Sequence, residues 1–256
     1  MIGAAFAARR AEGRSALIPY VTAGHPEADS TAPVLEAIAD AGADVIELGI
    51  PFSDPLADGP TIQRSSFASL ENGTTVESVL SDLAVFRARR GTPVVLFTYL
   101  NPVLRYGVTS FLADAANAGA NGLLLTDLPV GSDAELEREV IESPLDLIRL
   151  IAPTTTLERV PEIARGSSGF VYYISRTGVT GARSDLRSEL AEEVGAVREA
   201  VDLPVAVGFG ISTPEQASQV GSLADGVVVG SALVQTLESG GVEGARAFVV
   251  ALRAAL

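Results

Sequence analysis

The run Asp44-Val45-Ile46-Glu47-Leu48-Gly49-Ile50 has the length and apolar continuity of a parallel strand covered on both faces, with a carboxylate at its centre. Burying a charge among Val, Ile and Leu is costly unless the charge is paired or the group keeps its proton. A carboxyl group so placed holds or releases a proton near neutral pH, as general acid–base chemistry requires. Pro51-Phe52-Ser53-Asp54-Pro55-Leu56-Ala57-Asp58-Gly59-Pro60 follows directly and brings a second carboxylate, Asp58. Plain connectors of about 2–6 residues are more usual at such a point.

Runs of the same kind recur at 16–22, 93–99, 122–127, 146–151, 169–175, 204–209 and 226–230, beside the one at 44–50. Helix-like stretches lie between them, at 29–41, 75–90, 108–118, 132–142, 156–165, 185–200, 213–220 and 241–255. Asp29, Ser132, Ser184 and Thr213 read as capping residues. Repeated strand–helix units without a break in composition predict an α/β fold: one (βα)₈ barrel domain over 1–256 with a short N-terminal helix. The alternative, a doubly wound open sheet, usually shows a Gly-rich dinucleotide turn after its first strand. Thr22-Ala23-Gly24-His25-Pro26 stands there instead.

Barrel chemistry sits at the C-terminal ends of the strands. Polar residues collect at those points: Asp54 and Asp58, Tyr99 and Asn101, Asp127, Arg176 and Thr180, Gly210 and Ser212, Gly230 and Ser231. Glu47 shares a strand face with Val45 and Gly49, and Gly49 reads as open space for a ligand beside the carboxylate. The competing reading is a structural Glu paired with an Arg or backbone amides. Asp58 is either a second working carboxylate or a turn residue and helix cap before Gly59-Pro60. Tyr172, on one face with Phe170 and Ile174, points into the barrel mouth or fills the core.

Ser175-Arg176-Thr177-Gly178-Val179-Thr180-Gly181 has the two glycines of a mobile lid. Gly208-Phe209-Gly210-Ile211-Ser212 and Gly230-Ser231 occupy the usual barrel phosphate position, although ordinary glycine turns would read the same. Backbone N–H groups at Gly181, Gly210, Gly230 and Ser231 would bind an anion there without a cationic side chain. Assistance from Arg176 or Arg183 stays open. His25 reads as a surface loop residue, and Arg87, Arg89 and Arg90 as dipole partners at a helix end.

Composition narrows the chemistry. The 256 residues are 47 % hydrophobic and 20 % charged, as in an ordered globular protein. A net charge of -14 argues against nucleic acid or an anionic membrane as partner. No apolar run approaches the roughly 20 residues of a membrane span. The start lacks the basic head of a secretory signal, and the absence of Cys is compatible with the cytoplasm. All 18 basic residues are Arg, so lysine Schiff-base chemistry and covalent attachment of pyridoxal phosphate are excluded. One His argues against a histidine-rich metal site, and no metal is expected. Proton transfer falls mainly to Asp, Glu or Tyr.

The loop segment from Glu47 to Pro60 resembles the signature of the tryptophan synthase alpha subunit family. The likeness extends to Ile18-Pro19-Tyr20-Val21-Thr22-Ala23-Gly24, Tyr99-Leu100-Asn101-Pro102, Thr126-Asp127-Leu128-Pro129, the 175–181 loop and the 208–212 loop. His25 stands where an acidic residue is common, and Tyr20 where Phe is frequent. The resemblance implies retro-aldol cleavage of indole-3-glycerol phosphate to indole and glyceraldehyde 3-phosphate. It implies Glu47 as the acid–base residue, Asp58 as partner of the indole N–H, and Tyr172 as an aid in placing the glycerol. Tyr20, Tyr99, Thr180, Gly181, Phe209, Gly210, Gly230 and Ser231 would bind substrate. It further implies no cofactor on this chain and a beta subunit partner carrying pyridoxal phosphate, in an alpha2beta2 heterotetramer contacted through Pro51, Phe52, Ser53 and Asp54. A stand-alone lyase and a catalytically silent activating subunit are the alternatives; a silent scaffold has no reason to keep a buried carboxylate.

Overall fold

Short β-branched runs become strands here, and amphipathic stretches become the helices that cover them. The structure is a computed structural model. It describes residues 1–175, 184–208 and 210–256, the side chains of 184–188 excepted. The chain opens with α1 (Ile2–Ala11), β1 (Ala16–Thr22), α2 (Thr31–Asp40), β2 (Ile46–Gly49), α3 (Pro60–Glu71) and α4 (Val76–Arg87). There follow β3 (Val94–Thr98), α5 (Leu100–Tyr106), α6 (Val108–Asn117), β4 (Gly122–Leu125), α7 (Ala134–Ile141) and β5 (Asp146–Ile151). After a 3₁₀ turn at Leu157–Arg159 come α8 (Val160–Ala164), β6 (Val171–Ile174), α9 (Ser184–Ala200), β7 (Val205–Gly208), α10 (Pro214–Gly221), β8 (Gly226–Val229) and α11 (Ser231–Ala255). All neighbouring strands pair in parallel, and β8 pairs with β1, closing the expected barrel.

Every expected strand is present, and 16–22 and 146–151 match to the residue. Three helical segments were not foreseen: α3, α5 and the first half of α11. α3 buries Thr61, Ser65, Ser66 and Ser69, so its inward face carries few apolar residues for a periodicity to reveal. Within α11 Gly241 is non-helical, at φ 62 and ψ -162, so two helical segments meet there across a kink. Two caps shift by one residue: Ser30 precedes α2 in place of Asp29, and Asp133 caps α7 in place of Ser132, accepting from the N–H groups of Glu135 and Leu136. Thr213 caps α10 as expected, in a capping box with Gln216.

The strands alternate between two apolar populations. Ile46 and Leu48 face the helices with the outer core, while Val45 faces inward with Ile18, Val95, Leu124, Ile148, Phe170, Ala206 and Val228. α1 closes the lower end by inserting Ile2 and Phe6, both at most 3 % exposed. The Phe6 ring lies 5.4 Å from that of Phe170. Glycine makes room for this plug: a Cβ on Gly226 would lie 2.8 Å from the Phe6 ring, and one on Gly122 would lie 2.9 Å from Ile2.

Asp44 ties the same end together. Its Oδ1 accepts from Arg9 Nε at 2.6 Å, and its Oδ2 from Arg253 Nη1 at 2.7 Å and from the Leu17 N–H at 2.8 Å. One buried carboxylate thereby joins α1, β1 and α11. Asp44→Ala should leave two guanidiniums and an amide without their acceptor, at a cost of about 3 kcal/mol. Urea unfolding of the variant measures it, and a loss within the scatter of surface substitutions would show that these bonds contribute nothing net.

Candidate active site

Glu47 points into the barrel one layer above Val45, and it is 1 % exposed. Its Oε1 has no hydrogen-bond partner. Burial alone raises its pKa from the ordinary 4.5 to about 8, so the group is protonated at neutral pH. The space expected beside it at Gly49 is not empty. A Cβ on Gly49 would overlap the Tyr20 hydroxyl, because the Tyr20 ring reaches across from β1 and lies against the glycine backbone. Tyr172 does the same from β6 over Gly208 of β7. Glycine therefore seats two aromatic rings here, one on each side of the mouth.

The Tyr20 hydroxyl lies 3.3 Å from Thr22 Oγ1, which lies 2.7 Å from Ser65 Oγ, which donates to the Ile62 carbonyl at 2.9 Å. This hydroxyl chain joins the barrel wall to α3. Phe97 stands edge-on to Tyr20, with ring centroids 5.3 Å apart. Burial raises the pKa values of both phenols, and the nearby carboxylates Asp58 and Glu47 raise them further.

Asp58 sits half-buried on the loop after β2. Gly59 occupies the N-cap position of α3 with Pro60 in the first turn, and no side chain caps this helix, so Asp58 is not the cap. Its Oδ2 accepts from the Tyr99 hydroxyl at 2.9 Å, and that hydroxyl accepts from the Ala57 N–H at 2.9 Å. Gln63 Nε2 donates to the Asp58 carbonyl at 3.0 Å and to that of Pro55 at 3.3 Å. Burial pushes the Asp58 pKa up to about 6 against the lowering effect of the Tyr99 hydrogen bond. Two carboxyl groups on one cavity thus keep different protonation states near pH 7.

The cavity, about 400 Å³, extends from Glu47 and Tyr172 past Gly210 and Ser212 to Gly230, Ser231 and Ala232. The first segment of α11, which the sequence pattern did not reveal, begins at Ser231, and its first turn, where helices leave N–H groups without intrahelical partners, lines this end of the cavity. Gly210 has φ 74, a conformation that suits glycine. Gln235 Nε2 donates to Thr61 Oγ1 at 3.0 Å and fastens α11 to α3. Thr180, Gly181 and Phe209 lie outside the described residues, as do Arg176 and Arg183.

Sequence reasoning missed Phe97, Thr126, Leu150 and Gln235 in the cavity wall. Phe97 and Leu150 have the same strand parity as the inward Val95 and Ile148, and that parity was the available signal. Gln235 lay in the helical half that was not recognised. His25 is not a surface residue: it is 5 % exposed, with Nε2 3.2 Å from Glu238 Oε1. Of the four residues expected to meet a partner, Pro51 is buried and Phe52 packs its ring 5.2 Å from Tyr99. Ser53 and Asp54 are exposed, and so is the nearby Leu56, at 91 %. Among the described residues, no group of His, Cys, Asp and Glu is placed to hold a metal ion, and no helix is long and apolar enough to cross a membrane.

Comparison with known proteins agrees with this fold. The family model described as tryptophan synthase alpha chain matches residues 6–254. The tryptophan synthase alpha chain of Geobacter sulfurreducens is 48 % identical over 237 residues, covering 93 % of this chain and 90 % of that one. The Synechococcus elongatus alpha chain is 47 % identical over 252 residues, covering 98 % and 95 %. Among solved structures, an aminoacrylate-bound tryptophan synthase from M. tuberculosis aligns with TM-score 0.90 and 38 % identity, covering 99 % of this chain and 98 % of that one. The alpha subunit from Legionella pneumophila aligns with TM-score 0.91 and 36 % identity, covering 99 % and 97 %. This chain belongs to the tryptophan synthase alpha chain family.

Proposed function

We propose that residues 1–256 act as one domain that performs retro-aldol cleavage of indole-3-glycerol phosphate to indole and glyceraldehyde 3-phosphate, a carbon–carbon lyase reaction. The observation that carries this reading is the unpartnered Glu47 oxygen in a cavity that also holds Asp58 and the N-terminus of α11. Protonated Glu47 delivers its proton to the ring carbon that bears the side chain. Positive charge then reaches the ring nitrogen, whose N–H donates to ionised Asp58. Glu47, now a carboxylate, takes the proton of the adjacent hydroxyl. The carbon–carbon bond breaks, its electron pair restores the indole ring, and the hydroxyl carbon becomes the aldehyde. Glu47 ends protonated, as it began.

Tyr20 and Phe209 enclose the ring together with Phe97 and Leu150; Tyr99, expected to bind substrate, does not line the cavity and acts instead through its hydrogen bond to Asp58, and Tyr172 places the glycerol. Thr180, Gly181, Gly210, Gly230 and Ser231 hold the phosphate. The partner is a beta subunit in an alpha2beta2 heterotetramer in the cytoplasm. That subunit carries the pyridoxal phosphate, and this chain needs no cofactor of its own. Phe52, Ser53 and Asp54, with Pro51 holding the loop and Leu56 exposed beside them, form the contact through which indole leaves.

Indole release by the purified chain, with and without a beta subunit, tests the reading. Glu47→Gln should lower turnover by about 10²–10⁴-fold while substrate still binds; near wild-type turnover would remove Glu47 from the proton steps. The same variant has a readout independent of activity. Between 4.5 and about 8 the folded chain binds a proton at Glu47 that the unfolded chain does not, so wild-type stability falls as pH rises through that window. Urea unfolding of Glu47→Gln should show a flatter pH profile there, and an identical slope would contradict the raised pKa.

For wild type, kcat/KM should rise through about 6 as Asp58 ionises and fall through about 8 as Glu47 loses its proton. Asp58→Asn should lose the acidic limb along with most activity; an unchanged limb would mean that another group titrates there. At the phosphate end, Gly210→Val should weaken glycerol phosphate binding by about tenfold, one decade per ~1.4 kcal/mol, while Arg87→Ala leaves it unchanged. Equal losses in the two variants would argue for a diffuse charge effect.

A further inference from the structure

A second cavity of about 460 Å³ lies at the C-terminal ends of β4 and β5, on the side of α8. Its origin is local. α8 has five residues behind a 3₁₀ turn, the shortest α-helix among the described residues, and the cavity lies between its Ile163 and the Leu147 and Arg149 side of β5. Packed interiors leave few voids larger than a water molecule, and this volume falls in the range of small-molecule pockets.

The lining is chemically one-sided. Leu128, Leu147 and Ile163 supply apolar surface, Thr155 a hydroxyl, and Arg149 and Arg159 guanidinium groups. Among the described residues no Asp or Glu lines it, although acidic residues outnumber basic ones 32 to 18 in the chain. Arg149 is 6 % exposed, and only part of its donor set is used: Nη2 donates to Glu137 Oε2 at 2.7 Å and Nη1 to the Leu128 carbonyl at 3.3 Å. Its buried Nε has no hydrogen-bond partner. A buried donor with nothing to donate to is rare in folded proteins, and here it belongs to a side chain lining the cavity.

We propose that this outer cavity binds a small monocarboxylate with an apolar body, the carboxylate pairing with the Arg149 guanidinium, whose Nε lacks an acceptor, and the body lying on Leu128, Leu147 and Ile163. An amine or amino acid fits less well, because among the described residues no carboxylate in the lining receives an ammonium group. A dianion fits less well because Glu137 already balances the Arg149 charge. Thr126 and Leu150 line both this cavity and the one holding Glu47, so the two are separate spaces with a common wall.

Isothermal titration of the full chain with 3-phenylpropionate tests the proposal, with 2-phenylethylamine and phenylalanine titrated in parallel. The carboxylate should bind and the other two should bind at least about tenfold more weakly. Ile163→Phe, which fills the cavity, should weaken the carboxylate by about tenfold or more, as should Arg149→Lys, which keeps a cation for Glu137 but removes the Nε donor. Ile163→Phe carries the test alone if Arg149→Lys fails to fold. Absence of binding, equal binding of the amine, or affinity unchanged in folded Ile163→Phe would overturn it, the last placing the ligand in the barrel mouth.

Discussion

The constraint on which this molecule turns is the burial of the Glu47 carboxyl group with one oxygen unpartnered, inside a barrel otherwise filled with hydrocarbon. Asp44, three residues earlier and also buried, shows the opposite solution: both of its oxygens accept from charged donors. Asp44 precedes β2 and Glu47 lies within it. Asp44 satisfies its charge and joins elements; Glu47 is denied partners and so keeps its proton. The closed sheet makes the second arrangement tolerable, because the apolar contacts of both strand faces offset one unfavourable group.

The surroundings of Glu47 follow from that constraint. Tyr20 and Tyr172 lie against glycine backbone on opposite sides of the mouth, so the rings sit deep without pushing the strands apart. Both present phenols whose pKa values burial has raised, so neither brings a charge to the cavity near neutral pH. Asp58 contrasts with Glu47 because its loop grants it one good donor, Tyr99, and partial access to solvent. A single cavity can therefore hold an acid and a base of the same chemical type, separated by their environments.

Much of the fold was legible because parallel strands announce themselves as continuous apolar runs, and 44–50 did so around its own carboxylate. The helices were less legible where burial is polar. Thr61, Ser65, Ser66 and Ser69 face inward from α3 and erase the period that would mark it. The helical segment before the non-helical Gly241 carried no comparable signal, whereas the one after it was legible as 241–255. Glu47 and Asp58 stood out because their types clash with their setting, whereas Phe97 and Leu150 did not, since an apolar residue in a strand looks the same whether it fills a core or faces a ligand. The ring over Gly49 and the burial of His25 were hidden because they depend on neighbours distant in sequence.

The plug of Ile2 and Phe6 leaves the barrel a vessel with a floor. Among the described residues the cavity that holds Glu47 is bordered by the loops at the rim, not by the floor. Arrival and departure then share that rim. A contact made at the rim therefore bears on entry and exit alike, at the end of the barrel opposite the plug.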